Sequence, residues 1–165
     1  MTATAVTIRP AVREDVPAVA GLIEEIERFY GATDIERVAV RRAQTEQALF
    51  GAPPLAHALV AETEDGDIAG LAAYSFLWPA TNATHSLFLK ELYVREPLRQ
   101  QGVGARLMAE LRAIAAARPG CSRMEWMTDS TNPSARRFYK SLGFAEYEGK
   151  IIYRITPSSP ATRPE

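Results

Sequence analysis

The stretch Arg99–Gly104 reads RQQGVG and lies between a strand-like run and a helix-like run. Gly102 and Gly104 carry no Cβ, so backbone can approach a ligand closely there. The first N–H groups of a helix lack partners inside it, and the helix dipole is positive at that end. A diphosphate is a natural guest for such a turn, with Arg95, Arg99 and Arg106 adding charge at its edge. Three phosphate-binding patterns do not fit. A Walker A loop needs Lys-Ser/Thr after its last glycine, where this chain has Ala105-Arg106. A dinucleotide fingerprint needs glycine where Leu107 stands, and a kinase loop lacks its later signature elements. The residues alone leave open that the glycines serve only a tight strand–helix turn.

Other reactive side chains are sparse. Cys121 is the sole cysteine, so neither an intrachain disulfide nor a cysteine-based metal cluster can form. His57 and His85 lack metal-motif spacing and are read as ordinary pocket or surface residues, so no metal is expected. The 19 basic and 20 acidic residues leave a net charge of −1, which weighs against a duplex-DNA partner. The N-terminal residues MTATAVTIRPAV have no secretory h-region. No window approaches the ~18 apolar residues of a membrane span. The expectation is a cytoplasmic protein with neither nucleic acid nor membrane as partner.

The elements that must position the turn follow from periodicity. Val6–Pro10 alternates as a strand. Glu14–Tyr30 places Val16, Val19, Ala20, Ile23, Ile26 and Tyr30 on one helical stripe, with Glu24, Glu25, Glu27 and Arg28 mostly on the other face. Gly31–Val40 reads as a loop and Arg41–Phe50 as a second helix. His57–Glu62 and Ile68–Trp78 form a hairpin about an Asp-Gly turn, and His85–Val94 is a long apolar strand. Ala105–Arg118 is a helix, Arg123–Thr128 a strand, and Asn132–Phe144 a helix with Pro133 first and Gly143 at its end. Ala145–Ile155 reads as a closing hairpin around Glu148-Gly149, and Thr156–Glu165 as a frayed tail. With no repeat or linker, one domain of mixed α and β order spans 1–165.

The segment RQQGVG matches the R/Q-x-x-G-x-G/A motif of the GNAT superfamily of acyl-CoA N-acyltransferases. NPSARRFYKSLGF, Asn132–Phe144, resembles its second signature, an Asn-led helix ending F-Y-x-x-x-G-F. Thr7–Ile23 is similar to the first strand and helix, so the resemblance covers roughly 6–155. It implies an α/β (α+β) GNAT fold: a central mixed, mostly antiparallel sheet, splayed between the fourth and fifth strands and flanked by about four helices. LFLKELYV, Leu87–Val94, and RFYKSLGF look most like the branch containing diamine and polyamine acetyltransferases. That branch often has two adjacent acids in the fourth strand. Here the first is replaced by Lys90 before Glu91, which weighs against a polyamine acceptor.

The resemblance further implies direct transfer of an acetyl group from acetyl-CoA to an amine. The cofactor-binding residues would be Arg99, Gln100, Gln101, Gly102, Val103, Gly104 and Ala105 around the diphosphate, and Asn132, which is equally able to cap its helix. The backbone of Leu92, Tyr93 and Val94 would pair with the pantetheine arm, a strand-like use of an exposed edge. An alkylammonium has a pKa of about 10.4 and must lose a proton before attack. Glu91 is the candidate base or acceptor-orienter. A backbone N–H of the fourth strand would serve the oxyanion. Tyr139, a phenol of reference pKa about 10, would contact the cofactor and protonate the leaving thiolate. In a regular strand Glu91 shares a face with Leu89 and Tyr93, unless a bulge intervenes. The acceptor would meet Asp34 and Glu36 in the loop after the first helix, with Tyr30, Trp78 and Tyr153 as walls. Trp126 is read as core or cofactor wall. The expected acceptor is a small amine: a diamine, an amino acid or an aminoglycoside-like compound. The alternatives are a protein N-terminus or lysine and, in another class, a non-catalytic acyl-CoA sensor. A homodimer is expected by analogy.

Overall fold

The computed structural model describes residues 5–158, in two compact units that divide between Met127 and Thr128. In the first unit β1 (Val6–Pro10) leads through a 3-10 turn into α1 (Val16–Phe29) and α2 (Val38–Phe50). The hairpin of β2 (His57–Thr63) and β3 (Ile68–Leu77) follows, then β4 (His85–Val94), a 3-10 turn at Glu96–Leu98, α3 (Val103–Ala117) and β5 (Cys121–Trp126). The five strands lie in sequence order. Three antiparallel pairs are followed by a parallel β4–β5 pair, with α3 as the crossover. This is the mixed, mostly antiparallel sheet the sequence predicts.

α1 covers one face of the sheet. Its Val19, Leu22 and Ile26 pack with Ala58, Val60, Ile68 and Leu71. Burying each such large side chain stabilises the fold by about 1.5–3 kcal/mol, so α1 is a firmly seated support. Asp15 fixes its start: the carboxylate accepts from Arg9 Nη1 at 2.7 Å and from the Val12 N–H at 2.8 Å. α3 buries Val103, Leu107, Met108, Leu111 and Ala115. Its Leu107 Cδ1 would lie 3.6 Å from a Cβ on Gly70, which places α3 over the Gly70 face of β3.

Several boundaries differ from the sequence expectation. α2 begins at Val38, three residues before Arg41, because Arg41 is a buried member of its first turn. α3 begins at Val103 rather than Ala105, immediately after Gly102 turns the chain at φ +79°. β5 begins at Cys121, where pairing with His85 starts the parallel ladder. Tyr30, assigned to the core stripe of α1, is 52% exposed as the residue that ends the helix.

In the second unit α4 spans Pro133–Ser141. Asn132 Oδ1 accepts from the Ala135 N–H at 3.1 Å, and Gly143 follows at φ +82°. The expected closing hairpin at Ala145–Ile155 is not formed: these residues contain no strand, and Ile151, Ile152, Tyr153 and Ile155 are exposed. A hairpin standing alone is marginal in water, and Glu-Gly is a weaker turn former than Asn-Gly or Asp-Gly. The expected tail is described only through Ser158; the remainder lies outside the described residues.

Candidate active site

The site is built around the second half of β4. Ala73 of β3 pairs with Glu91, and the next β3 residue, Tyr74, pairs with Leu89, so Lys90 is an extra residue in β4. Directly opposed residues share a face and successive residues alternate. Across the bulge, Leu89 therefore lies on the face of Tyr74, while Glu91 and Tyr93 lie on the face of Ala73 and Leu71, which is the α1 face. Glu91 thus shares a face with Tyr93 and not with Leu89.

The parallel ladder ends at the same place. Its last pair is Leu89 with Trp126, and Lys90–Val94 have no β5 partner among the described residues. The Arg95 N–H bonds Ala69 O at 2.9 Å, so strand alternation turns the N–H and C=O of Val94 away from β3, onto the open edge. Arg99 Nε donates to Val94 O at 2.8 Å. The Arg99 guanidinium also lies over the rings of Phe29 and Tyr93, 5.7 and 5.5 Å from their centroids.

The expected glycine turn between β4 and α3 is formed. Gln100 and Gly102 both have positive φ, +60° and +79°, and Gln101 Nε2 is held by Pro97 O at 2.8 Å. A Cβ at Gly102 would meet nothing within 4 Å, so the approach is open. The first helical bond of α3 runs from the Arg106 N–H to Gly102 O at 3.0 Å, and no side chain caps the helix. That leaves the Val103, Gly104 and Ala105 N–H groups pointing outward from a positive helix end.

Burial raises the Glu91 carboxyl above the ordinary glutamate range; the Lys90 cation opposes this and the Glu27 carboxylate adds to it. Glu91 takes part in none of the ion pairs found among the described residues. Burial likewise raises the Tyr93 phenol, helped by Glu25, whose carboxylate accepts from Tyr93 Oη at 3.3 Å. Asp34 and Glu36 are exposed in the loop between α1 and α2. Tyr30 is exposed beside them, edge-on to Phe29 at 5.3 Å. Trp78 is not brought to this end of β4: it follows the Leu77–Ser86 pair, and its Nε1 bonds Ala83 O at 3.0 Å. In the second unit Asn132 caps α4, Tyr139 is half-buried with its ring 5.1 Å from that of Phe138, and Tyr153 is 92% exposed. The sequence reading missed Glu24, Glu25 and Arg41 as structural charges, because a helical run of acids and a basic pair look like solvated faces.

The family model for the acetyltransferase (GNAT) family matches residues 20–144, including both quoted motifs. The chain belongs to the GNAT acetyltransferase family. This GNAT chain is 34% identical over 118 residues to aminoglycoside N(6')-acetyltransferase type 1 of Serratia marcescens, covering 70% of this chain and 79% of that protein. It is 27% identical over 160 residues to thialysine N-epsilon-acetyltransferase of Bos taurus, covering 91% and 92%. An integron cassette protein from the mobile metagenome of V. cholerae shares the fold with TM-score 0.82 at 27% identity, over 93% of each chain. The protein is an acetyl-CoA-dependent N-acetyltransferase. The open α3 N-terminus and the stretch of β4 that β5 leaves unpaired, where Arg99 holds Val94 O, suit this donor: outward amides for its diphosphate, and backbone groups for its amide-bearing arm. Among the described residues no helix is long and apolar enough to cross a membrane, and no group of three or more acid, His or Cys side chains is placed to hold a metal.

Proposed function

We propose that the protein acetylates the primary amine of a small cationic molecule, which enters on the α1 side of β4. The observation that carries this is the partly buried Glu91, turned by the Lys90 bulge onto that side and raised toward neutrality by burial. A carboxylate with a raised pKa is a better match for an ammonium proton than an ordinary one, so Glu91 removes that proton, directly or through water. The relatives' own substrates, an aminoglycoside and thialysine, are small amines and support this class.

In this reading acetyl-CoA, when bound, supplies the acetyl group. Gln101, Gly102, Val103, Gly104 and Ala105 hold its diphosphate through backbone N–H groups, with Arg99 and Gln100 near it, and Asn132 is a further cofactor-binding residue. The Leu92–Val94 edge holds its arm, and Tyr139 gives a proton to the departing thiolate. Tyr30, Asp34 and Glu36 receive the acceptor. Family analogy further supports a cytoplasmic homodimer.

The test is acetyl-CoA-dependent thiol release over diamines, amino acids, aminoglycosides and short peptides, with Tyr139→Phe beside the parent. The expected result is turnover of one class of small amine and a fall of about 10²-fold in kcat for the variant. Full activity in the Phe variant sinks the acid role. Turnover of peptides alone replaces the small acceptor by a protein one.

A further inference from the structure

α1 carries two adjacent carboxylates that serve opposite neighbours. Glu24 Oε2 accepts from Arg41 Nη2 of α2 at 2.5 Å, while Glu24 Oε1 accepts from Arg28 at 2.7 Å. Arg41 is buried, its side chain only 4% exposed. Its Nε bonds Ala20 O of α1 at 3.1 Å, and its Nη1 reaches Glu36 O at 3.4 Å. One guanidinium therefore joins α1, α2 and the loop between them, and all three of its nitrogens are engaged. A planar five-donor fork can do this; a lysine ammonium has a different shape and fewer donors.

Glu25 faces β4 instead. Its Oε1 accepts from Arg95 Nη2 at 2.7 Å and Nε at 2.9 Å, and its Oε2 accepts from Tyr93 Oη at 3.3 Å. Arg95 is the first residue beyond β4 and opens the segment that leads to Gly102. Arg99 of the same segment lies over Phe29 of α1. The donor turn is thus fastened to the helix that also holds the Asp34–Glu36 loop.

We propose that α1 is the common support of both substrate loops, with Arg41 as positioning residue for the acceptor loop and Glu25 as positioning residue for the donor loop. This rests on the assignment of the two loops made under Proposed function. Because α1 is seated on the sheet by Val19, Leu22 and Ile26, losing one arm frees its own loop and leaves the other in register. The two arms therefore act on different substrates.

The experiment is full two-substrate kinetics of Arg41→Lys and Glu25→Gln, using acetyl-CoA and whichever amine the panel shows is turned over fastest. Arg41→Lys is expected to raise the amine KM roughly fivefold or more, with the acetyl-CoA KM moved less than about twofold. Glu25→Gln is expected to do the reverse. Where Arg41→Lys does not fold, Glu24→Gln removes the same arm from its more exposed side. Amide hydrogen exchange reads the arms without substrate: protection should fall at 31–37 in the first variant and at 95–102 in the second. Variants that lower Tm but leave both KM values in place, or raise both together, overturn the proposal. Asp34→Asn with Glu36→Gln separates the two possible failures. If that pair raises the amine KM and Arg41→Lys does not, the loop assignment stands and the positioning role falls. If the pair leaves the amine KM unmoved, the loop assignment itself falls, and the Arg41 arm with it.

Discussion

The two halves of β4 differ more than their sequences do. Ser86–Leu89 is paired with β3 on one side and β5 on the other, and Ser86, Leu87 and Leu89 are buried. Lys90–Val94 keeps β3 alone, and none of its residues is fully buried. The extra residue Lys90 stands at the border. The first half has strand neighbours on both edges. The second leaves one edge of polar backbone open to a ligand and turns a carboxylate toward α1. A strand long enough to serve both purposes is divided by one bulge, a device that commonly re-aims a side chain or ends pairing.

Deleting Lys90 is the severest test of that division. Leu89 and Glu91 already oppose successive β3 residues, so the deletion yields a regular ladder with every side chain on its present face. The protein should fold, with Tm shifted by only a few degrees. Removing the bulge shifts the backbone N–H groups of β4, one of which is expected to serve the oxyanion, so kcat should fall by about 10²- to 10³-fold. Retained activity in a folded deletion variant would mean that the bulge plays no part in the chemistry. Leu87→Ala probes the other half. Leu87 is fully buried, so stability should drop by about 2–5 kcal/mol in denaturant unfolding. At low temperature kcat per folded molecule should stay near the parent's, and a large kcat loss there would show that the halves are not separable.

Glu91→Gln comes next, with kcat expected to fall about 10²-fold. Its pH signature has a definite sign. A base must be ionised to act, and burial raises this carboxyl, so the acidic limb of kcat/KM should lie above the ordinary glutamate pKa of about 4.3 and vanish in the variant. The linkage runs the other way. With the folded pKa raised, the folded state holds its proton longer than the unfolded state, and stability falls as pH rises from the unfolded value through the folded one. Glu91→Gln should therefore be no less stable than the parent at neutral pH. A variant that loses both Tm and activity there would assign Glu91 to structure instead.

Much of this was legible in the sequence because local chemistry decided it. Gly102 before α3, Asn132 and Pro133 opening α4, Gly143 closing it and the Asp-Gly hairpin turn all act within a few residues. Lys90 was not legible as a bulge, since Leu87, Leu89, Glu91 and Tyr93 alternate as smoothly as in a regular strand. Only the register of β3 exposes the extra residue. Glu25 is placed on the outer face of its helix by periodicity and Arg41 is not singled out at all, because burial and partner choice depend on elements far along the chain: Glu25 to Arg95 spans seventy positions. Trp78 was grouped with the acceptor walls by residue type, whereas hairpin geometry puts it at the other end of β4.

The smallest expected effect lies just past the open half, at Gly102, and it separates backbone conformation from bulk. Gly102 has φ +79°, and an added Cβ would meet nothing within 4 Å. A substitution there costs conformational energy, not steric repulsion. Alanine in the left-handed region is unfavourable by about 1–2 kcal/mol. The chain can bear that strain as lost stability, or relieve it by relaxing the turn and misdirecting the Val103–Ala105 amides. In the second case Gly102→Ala raises the acetyl-CoA KM by about tenfold at most and leaves the amine KM alone. Asparagine tolerates left-handed backbone better than alanine, so Gly102→Asn should be the milder change despite its larger side chain. The two KM values measured side by side decide the matter. An Asn variant worse than the Ala variant would mean that space at the diphosphate turn, and not its backbone angle, is what glycine supplies.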